Sequence, residues 1–253
     1  MPRRDTAPEG APCWIELFTA DPEKAQIFYG ELFGWALVDP GPDYGGYVNF
    51  HLDDVPIAGC MRNDGTQGPD RWNLYLATAD AAKTAEAVSA NGGTLIVPPM
   101  QVMALGTMAV AIDPTGVGIG MWQPAEHKGF GILDEPGTPS WFELHTTDFD
   151  AAIEFYSRTF GWDIHPAIDS PEMRYSTFGE GDAALAGIMD ASSWLPVGVP
   201  SQWSLYFRAA DVDAALTRIT DLGGSIVEAA VDTPYGRLAT AADPGGVQFK
   251  LRA

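Results

Sequence analysis

The chain repeats itself. PCWIELFTADPEKAQIFYGELFGW, starting at Pro12, returns as PSWFELHTTDFDAAIEFYSRTFGW, starting at Pro139. Trp14 aligns with Trp141, Glu16 with Glu143, Phe28-Tyr29 with Phe155-Tyr156, and Phe33-Gly34-Trp35 with Phe160-Gly161-Trp162, all at an offset of 127 (141 − 14). Later matches keep the order: Gly59-Cys60-Met61 with Gly187-Ile188-Met189, Trp72 with Trp203, Gly92-Gly93 with Gly223-Gly224, and Asp113-Pro114 with Asp243-Pro244. Chance does not give so many ordered matches. They define two copies of one unit, residues 12–124 and 139–253, joined by a Gly-, Pro- and charge-rich linker at 125–138.

Each copy repeats a simpler grammar. Alternating residues 13–19 predict a strand that ends before Asp21, a helix N-cap with Pro22 in the first turn. Ala25, Phe28, Tyr29, Leu32 and Phe33 fall at helical spacing, and Gly34 closes the helix. A strand at 72–78, a helix after Asp80 and a stop at Gly92-Gly93 repeat the pattern. Further strands follow at about 94–97, 107–112 and 117–122. The fold class is α+β, with two βαβββ modules per copy.

Composition narrows the partners. Hydrophobic residues are 46% and charged residues 19%, enough for a core in each half. A net charge of −20 repels phosphates and anionic lipid, which argues against nucleic acid and membrane surfaces. Two cysteines, Cys13 and Cys60, make no disulfide framework. No apolar run reaches membrane-spanning length, and the N-terminus has no signal-peptide core. A cytoplasmic protein with a flexible lead-in at 1–11 is the expectation.

The strand–Asp–helix ending FYxxxFGW, the Gly-Gly helix stop and the DPxG turns (Asp113–Gly116, Asp243–Gly246) resemble the vicinal oxygen chelate superfamily. That superfamily includes glyoxalase I, bleomycin-resistance proteins and extradiol dioxygenases. The resemblance covers nearly the whole chain from residue 12 and looks nearest to tandem glyoxalase-like proteins of actinobacteria. It implies two tandem domains, each a pair of modules whose mixed sheet curls into a cup with the helices outside. Fusion of the modules is compatible with a monomer.

Strand alternation then sorts the side chains. Ile15, Leu17 and Thr19 face the helix; Trp14, Glu16 and Phe18 face the first cup. Phe142, Leu144 and Thr146 face the helix; Trp141, Glu143 and His145 face the second. Tyr47, Asn49, Asn73, Tyr75 and Trp122 join the first cup, with His51 on the face of Tyr47. Tyr175, Thr177, Ser204, Tyr206 and Arg208 join the second. This is the chemistry of a small-molecule pocket. Plainer alternatives stand beside it: Trp14 and Trp141 as core plugs, and Glu16 and Glu143 as structural partners of an arginine or an amide.

Metal-dependent members carry a histidine-type ligand seven residues before the helix-starting Asp and a glutamate seven after the DP aspartate. The matching positions here hold Trp14, Asn73, Trp141 and Ser204, then Gly120 and Lys250. Indole and ammonium are not ligands for such an ion. No metal and no other cofactor is expected, although His51 and His145 remain conceivable ligands; His127 lies in the linker.

Two main functions follow. The first is a metal-independent enzyme (isomerase, cyclase or lyase) acting on an aromatic or polycyclic metabolite. Glu143, with a pKa raised by burial, and His145 would be its acid and base, Glu16 the corresponding group of the other cup, and Tyr206 and Arg208 its oxyanion stabilisers. The second is a binding protein of the bleomycin-resistance type, whose aromatic walls and negative charge suit a cationic drug. An enzyme-like relic with an interaction role comes third.

Overall fold

A computed structural model describes residues 5–66, 68–195 and 198–253. Copy one runs β1 (Pro12–Thr19), α1 (Pro22–Phe33), β2 (Ala36–Val38), β3 (Val48–Leu52), β4 (Val55–Arg62), β5 (Arg71–Ala77), α2 (Ala81–Ala90), β6 (Thr94–Val102), β7 (Gly106–Ile112) and β8 (Gly118–Pro124). Copy two runs β9 (Pro139–Thr146), α3 (Phe149–Phe160), β10 (Ile164–Asp169), β11 (Arg174–Phe178), β12 (Ala186–Asp190), β13 (Gln202–Arg208), α4 (Val212–Asp221), β14 (Ser225–Thr233), β15 (Gly236–Ala242) and β16 (Gln248–Arg252). Each copy is βαβββ twice, as the sequence pattern implies.

The helices start and stop for local reasons. Asp21, Asp80, Asp148 and Asp211 each accept a hydrogen bond from the backbone N–H three residues on. Gly34 and Gly161 end α1 and α3 in the left-handed region, at φ 77° and 69°.

Each copy closes its own eight-stranded sheet. The order is β2-β3-β4-β1-β5-β8-β7-β6, repeated as β10-β11-β12-β9-β13-β16-β15-β14. The antiparallel pairs β1–β5 and β9–β13 join the two modules along the cup floor.

The helices lie outside the cups but inside the molecule. The helix-covered faces of the two sheets meet, with α1 against α4 and α2 against α3. The Tyr29 hydroxyl donates to Asp243 (3.1 Å) and the Tyr156 hydroxyl to Asp113 (3.0 Å). The Tyr of one copy's FY pair thus binds the DP aspartate of the other. Phe28 and Phe155 are fully buried in this layer, each contributing about 1.5–3 kcal/mol.

The expected flexible lead-in is corrected for its last residues. Gly10 donates to the Ala77 carbonyl and accepts from Trp162 Nε1, both at 2.9 Å. Its φ is +72°, and a Cβ there would collide with the Phe160 carbonyl, so only glycine fits. Gly137, before β9, does the same for Trp35 (2.6 Å). The two segments thus make equivalent contacts with the Trp of the opposite copy. Residues 1–4 of the lead-in lie outside the described residues. Among the described residues, no helix is long and apolar enough to cross a membrane.

Candidate functional site in the second cup

In β9, Phe142 and Leu144 enter the core while Glu143 and His145 face the cup, both nearly sealed at 5% and 3% exposure. Glu143 lies in register between Gly187 and Ser204. Gly187 has no side chain because the Tyr175 ring fills that space; an added Cβ would collide with its hydroxyl.

Glu143 Oε1 sits 2.6 Å from His145 Nε2 and accepts from the Tyr206 hydroxyl at 2.9 Å. Tyr175 accepts from Trp141 Nε1 (3.1 Å) and also bonds Glu143. Burial pushes the Glu143 carboxyl up, but His145 by hydrogen bond and charge, with Tyr206 and Tyr175, holds it below its ordinary value. The expected raised pKa is therefore corrected: too many donors converge on this carboxylate. An ionised carboxylate only accepts, so the proton between the two rests on His145 Nε2. That leaves Nδ1 facing the Ser204 hydroxyl at 3.3 Å. Ser204 is half-buried and forms the accessible end of the chain Ser204–His145–Glu143. Trp194, 48% exposed, lies edge-on to His145 with ring centroids 5.0 Å apart. Burial and the Glu143 charge push the Tyr175 and Tyr206 hydroxyls up, so both stay protonated donors.

The first cup holds the same glutamate in another state. Burial drives the Glu16 carboxyl up to about 7, against hydrogen bonds from Asn73, Tyr47 and Tyr75 and the charge of Arg71. The Tyr75 hydroxyl lies at 3.3 Å. Where His145 stands in copy two, copy one has Phe18, beneath the Arg71 guanidinium at 5.2 Å. Arg71 also donates to Asn73 Oδ1 (2.9 Å), and Asn49 lies half-buried in register with Gly59.

The aromatic wall of this cup is already occupied by the protein. His127 lies edge-on to Trp14, centroids 4.3 Å apart, and 5.5 Å from Trp122, whose Nε1 donates to the His127 carbonyl (2.9 Å). Phe130 packs on Trp14 at 5.8 Å, and its N–H donates to the Cys13 carbonyl at 2.8 Å. Burial, with a smaller contribution from His51, pushes His127 down to about 4, so its ring is neutral at pH 7. Part of segment 125–138 is therefore wall rather than free linker. Trp14 and Trp122, expected to stack a ligand, hold an imidazole of their own chain.

Arg208, expected in the second cup, is drawn to the rim by Asp134 (3.4 Å). It helps line a groove of about 360 Å³ at the seam between the copies, whose lining includes neither Glu143 nor His145. Arg71 lies on the face of Asn73, where alternation places it, and joins the first cup. Lys250 and Arg252 alternate in the same way along β16. Trp194 lies in a loop without periodicity and carried no signal.

A divalent ion of the family's kind does not fit. Among the described residues, no three His, Cys, Asp or Glu side chains come together as a metal site. At the glutamate position Lys250 Nζ lies 3.0 Å from Thr240 Oγ1 and 3.3 Å from Glu228 Oε2, and an ammonium there repels a cation.

Comparison with known proteins agrees with this architecture. The profile of the Glyoxalase/Bleomycin resistance protein/Dioxygenase superfamily matches residues 13–121 and 138–251. The chain belongs to that superfamily. It is 34% identical over 258 aligned positions to CFP32 of Mycobacterium tuberculosis, provisionally named a glyoxylase, covering 99% of this chain and 97% of that one. It is also 34% identical to the anthracycline biosynthesis protein DnrV of Streptomyces peucetius, covering 96% and 92%. Among solved structures it superposes on the Mn(II)-bound glyoxalase of Novosphingobium aromaticivorans with TM-score 0.66 and 15% identity, covering 96% and 82%. With the 2,3-dioxygenase LapB of Pseudomonas sp. KL28 the values are 0.68, 16%, 97% and 93%. At such identities the structural likeness concerns the fold alone.

Proposed function

We propose that the second cup is the working site and that it moves protons on a flat polycyclic aromatic metabolite without a metal. The observation that carries this reading is the buried Glu143–His145 pair, with its outer nitrogen turned to Ser204. In the proposed reaction the Ser204 hydroxyl takes a proton from an acidic C–H or O–H of the ligand and passes its own to His145 Nδ1. Glu143 stabilises the imidazolium that results, an arrangement in which a base is oriented by a third group. The Tyr206 hydroxyl, donating to Glu143, keeps that carboxylate ionised and in place behind His145. Trp194 covers His145 and keeps water from it. DnrV and DauV, both named anthracycline biosynthesis proteins, support a role in natural-product metabolism and a fused-ring substrate.

The test is solvent exchange. Ring ketones fused to hydroxyanthraquinones are incubated with the protein in D₂O and weighed by mass spectrometry. Enzyme-dependent uptake of deuterium beside the carbonyl, lost in Glu143→Gln and His145→Ala, is expected. A compound that binds in the second cup yet returns unlabelled after long incubation would show a container rather than a catalyst, and would refute the proposal.

A further inference from the structure

The two cups differ most along β8 and β16. Gly118, Gly120 and Trp122 face the first cup; Gln248, Lys250 and Arg252 face the second, while Phe249 and Leu251 enter the core. The register makes the replacements positional. Gly120 pairs with Tyr75 as Lys250 pairs with Tyr206, and Trp122 pairs with Ala77 as Arg252 pairs with Arg208. A chain with 14 Lys and Arg against 34 Asp and Glu thus places two cations side by side on the wall of one cup and none at the same positions of the other.

Their partners are unequal. Lys250 Nζ is held by Glu228 and Thr240 and lies 5.8 Å above the Tyr206 ring. Arg252 Nε is buried and has no hydrogen-bond partner among the described residues. A buried guanidinium N–H without an acceptor is costly, and an incoming anion would satisfy it.

The first cup shows where an aromatic ring fits. There His127 lies against Trp14 and reaches Trp122. The matching pair in the second cup is Trp141 and Arg252. Trp141 is half-buried and has no ring partner among the described residues.

We infer that the second cup binds an aromatic acid, with a ring of the ligand against Trp141 in the manner of His127 on Trp14, and its anionic oxygens on Arg252 and Lys250. This rests on the second cup being the working site and adds the ligand's charge class. Net charge alone points toward a cationic ligand; the wall of the cup points the other way. An Arg fork beside a Lys ammonium suits a carboxylate or an ionised phenol.

Calorimetric titration with anthraquinone-2-carboxylate and with neutral 2-(hydroxymethyl)anthraquinone tests it. The carboxylate should bind at least about tenfold tighter at low salt, since charge-assisted hydrogen bonds are stronger than neutral ones. The preference should shrink at high salt and vanish in Lys250→Met/Arg252→Gln. If the double variant does not fold, Arg252→Gln alone should lose most of the preference. Equal affinities, no binding of either compound, or a preference that persists in the folded variants would overturn the inference. Deuterium exchange can fail with the preference intact; that outcome would sink the catalytic reading and leave this one standing.

Discussion

Glu16 and Glu143 occupy the same position on the same strand of a duplicated sheet, yet burial wins at one and hydrogen bonding at the other. Both are nearly inaccessible and both face two tyrosines. The deciding neighbour is the residue two positions on. Phe18 offers no proton, so Glu16 is pushed up to about 7; His145 offers an N–H at 2.6 Å, so Glu143 stays ionised. Burial sets the size of the penalty on a charge, and one partner sets whether that penalty is met. The same divergence runs through both walls: the first cup is filled by His127, and the second keeps Trp141 partly open beside two cations. The two copies keep one sheet order and differ in the side chains that line it.

The largest way to break this comparison is catalytic. His145→Ala or Glu143→Gln should lower deuterium exchange by about 10²–10⁴-fold, the usual range for a general acid or base. Glu16→Gln should leave it unchanged. An equal loss in both would mean that the cups act together.

Next comes the plug. Phe130→Ala should cost about 3–5 kcal/mol in urea unfolding, as expected for a buried phenylalanine truncated to alanine. A cost near zero would show that the segment over Trp14 is not part of the wall.

The third difference is in pH. The folded chain binds a proton at Glu16 more tightly than the unfolded chain, about 7 against 4.5. The Glu16 contribution to stability therefore falls as pH rises from about 4.5 to 7 and stays lower above that. Glu16→Gln should stabilise the protein at pH 8 by up to about 3 kcal/mol and have little effect at pH 4.5, read from melts at both values. Glu143 runs the other way: its contribution is present above the ordinary carboxylate pKa and is lost as pH falls through its lowered value. A Glu16→Gln gain that did not depend on pH would mean that its carboxyl is not the titrating group.

The smallest effect concerns Trp194. Trp194→Ala should change stability by less than about 0.5 kcal/mol, as for an exposed side chain. It should weaken binding of a fused-ring ligand by roughly 2- to 12-fold, the worth of one aromatic contact. Unchanged affinity would remove Trp194 from the site.

The fold was legible because its signals are local. The Asp caps, the Gly stops and the alternation of Trp14, Glu16 and Phe18 depend on neighbours along the chain. That the helices lie between the sheets was not legible, because it depends on Tyr29 meeting Asp243 across 214 residues. Much of the candidate site was legible by alternation, including the pairing of Glu143 with His145. The direction of the Glu143 shift was not, since it depends on how many donors converge on one carboxylate. Nor was His127: the turn-forming composition of 125–138 says that the chain leaves the sheet but not where it returns.

The central claim is that the second cup takes the ligand and the first is closed by its own chain. A crystal structure of the protein soaked with anthraquinone-2-carboxylate tests it most directly. Ligand density is predicted against Trp141, with its carboxylate on Arg252 and Lys250, while His127 remains on Trp14. Density over Trp14, with His127 displaced, would contradict it.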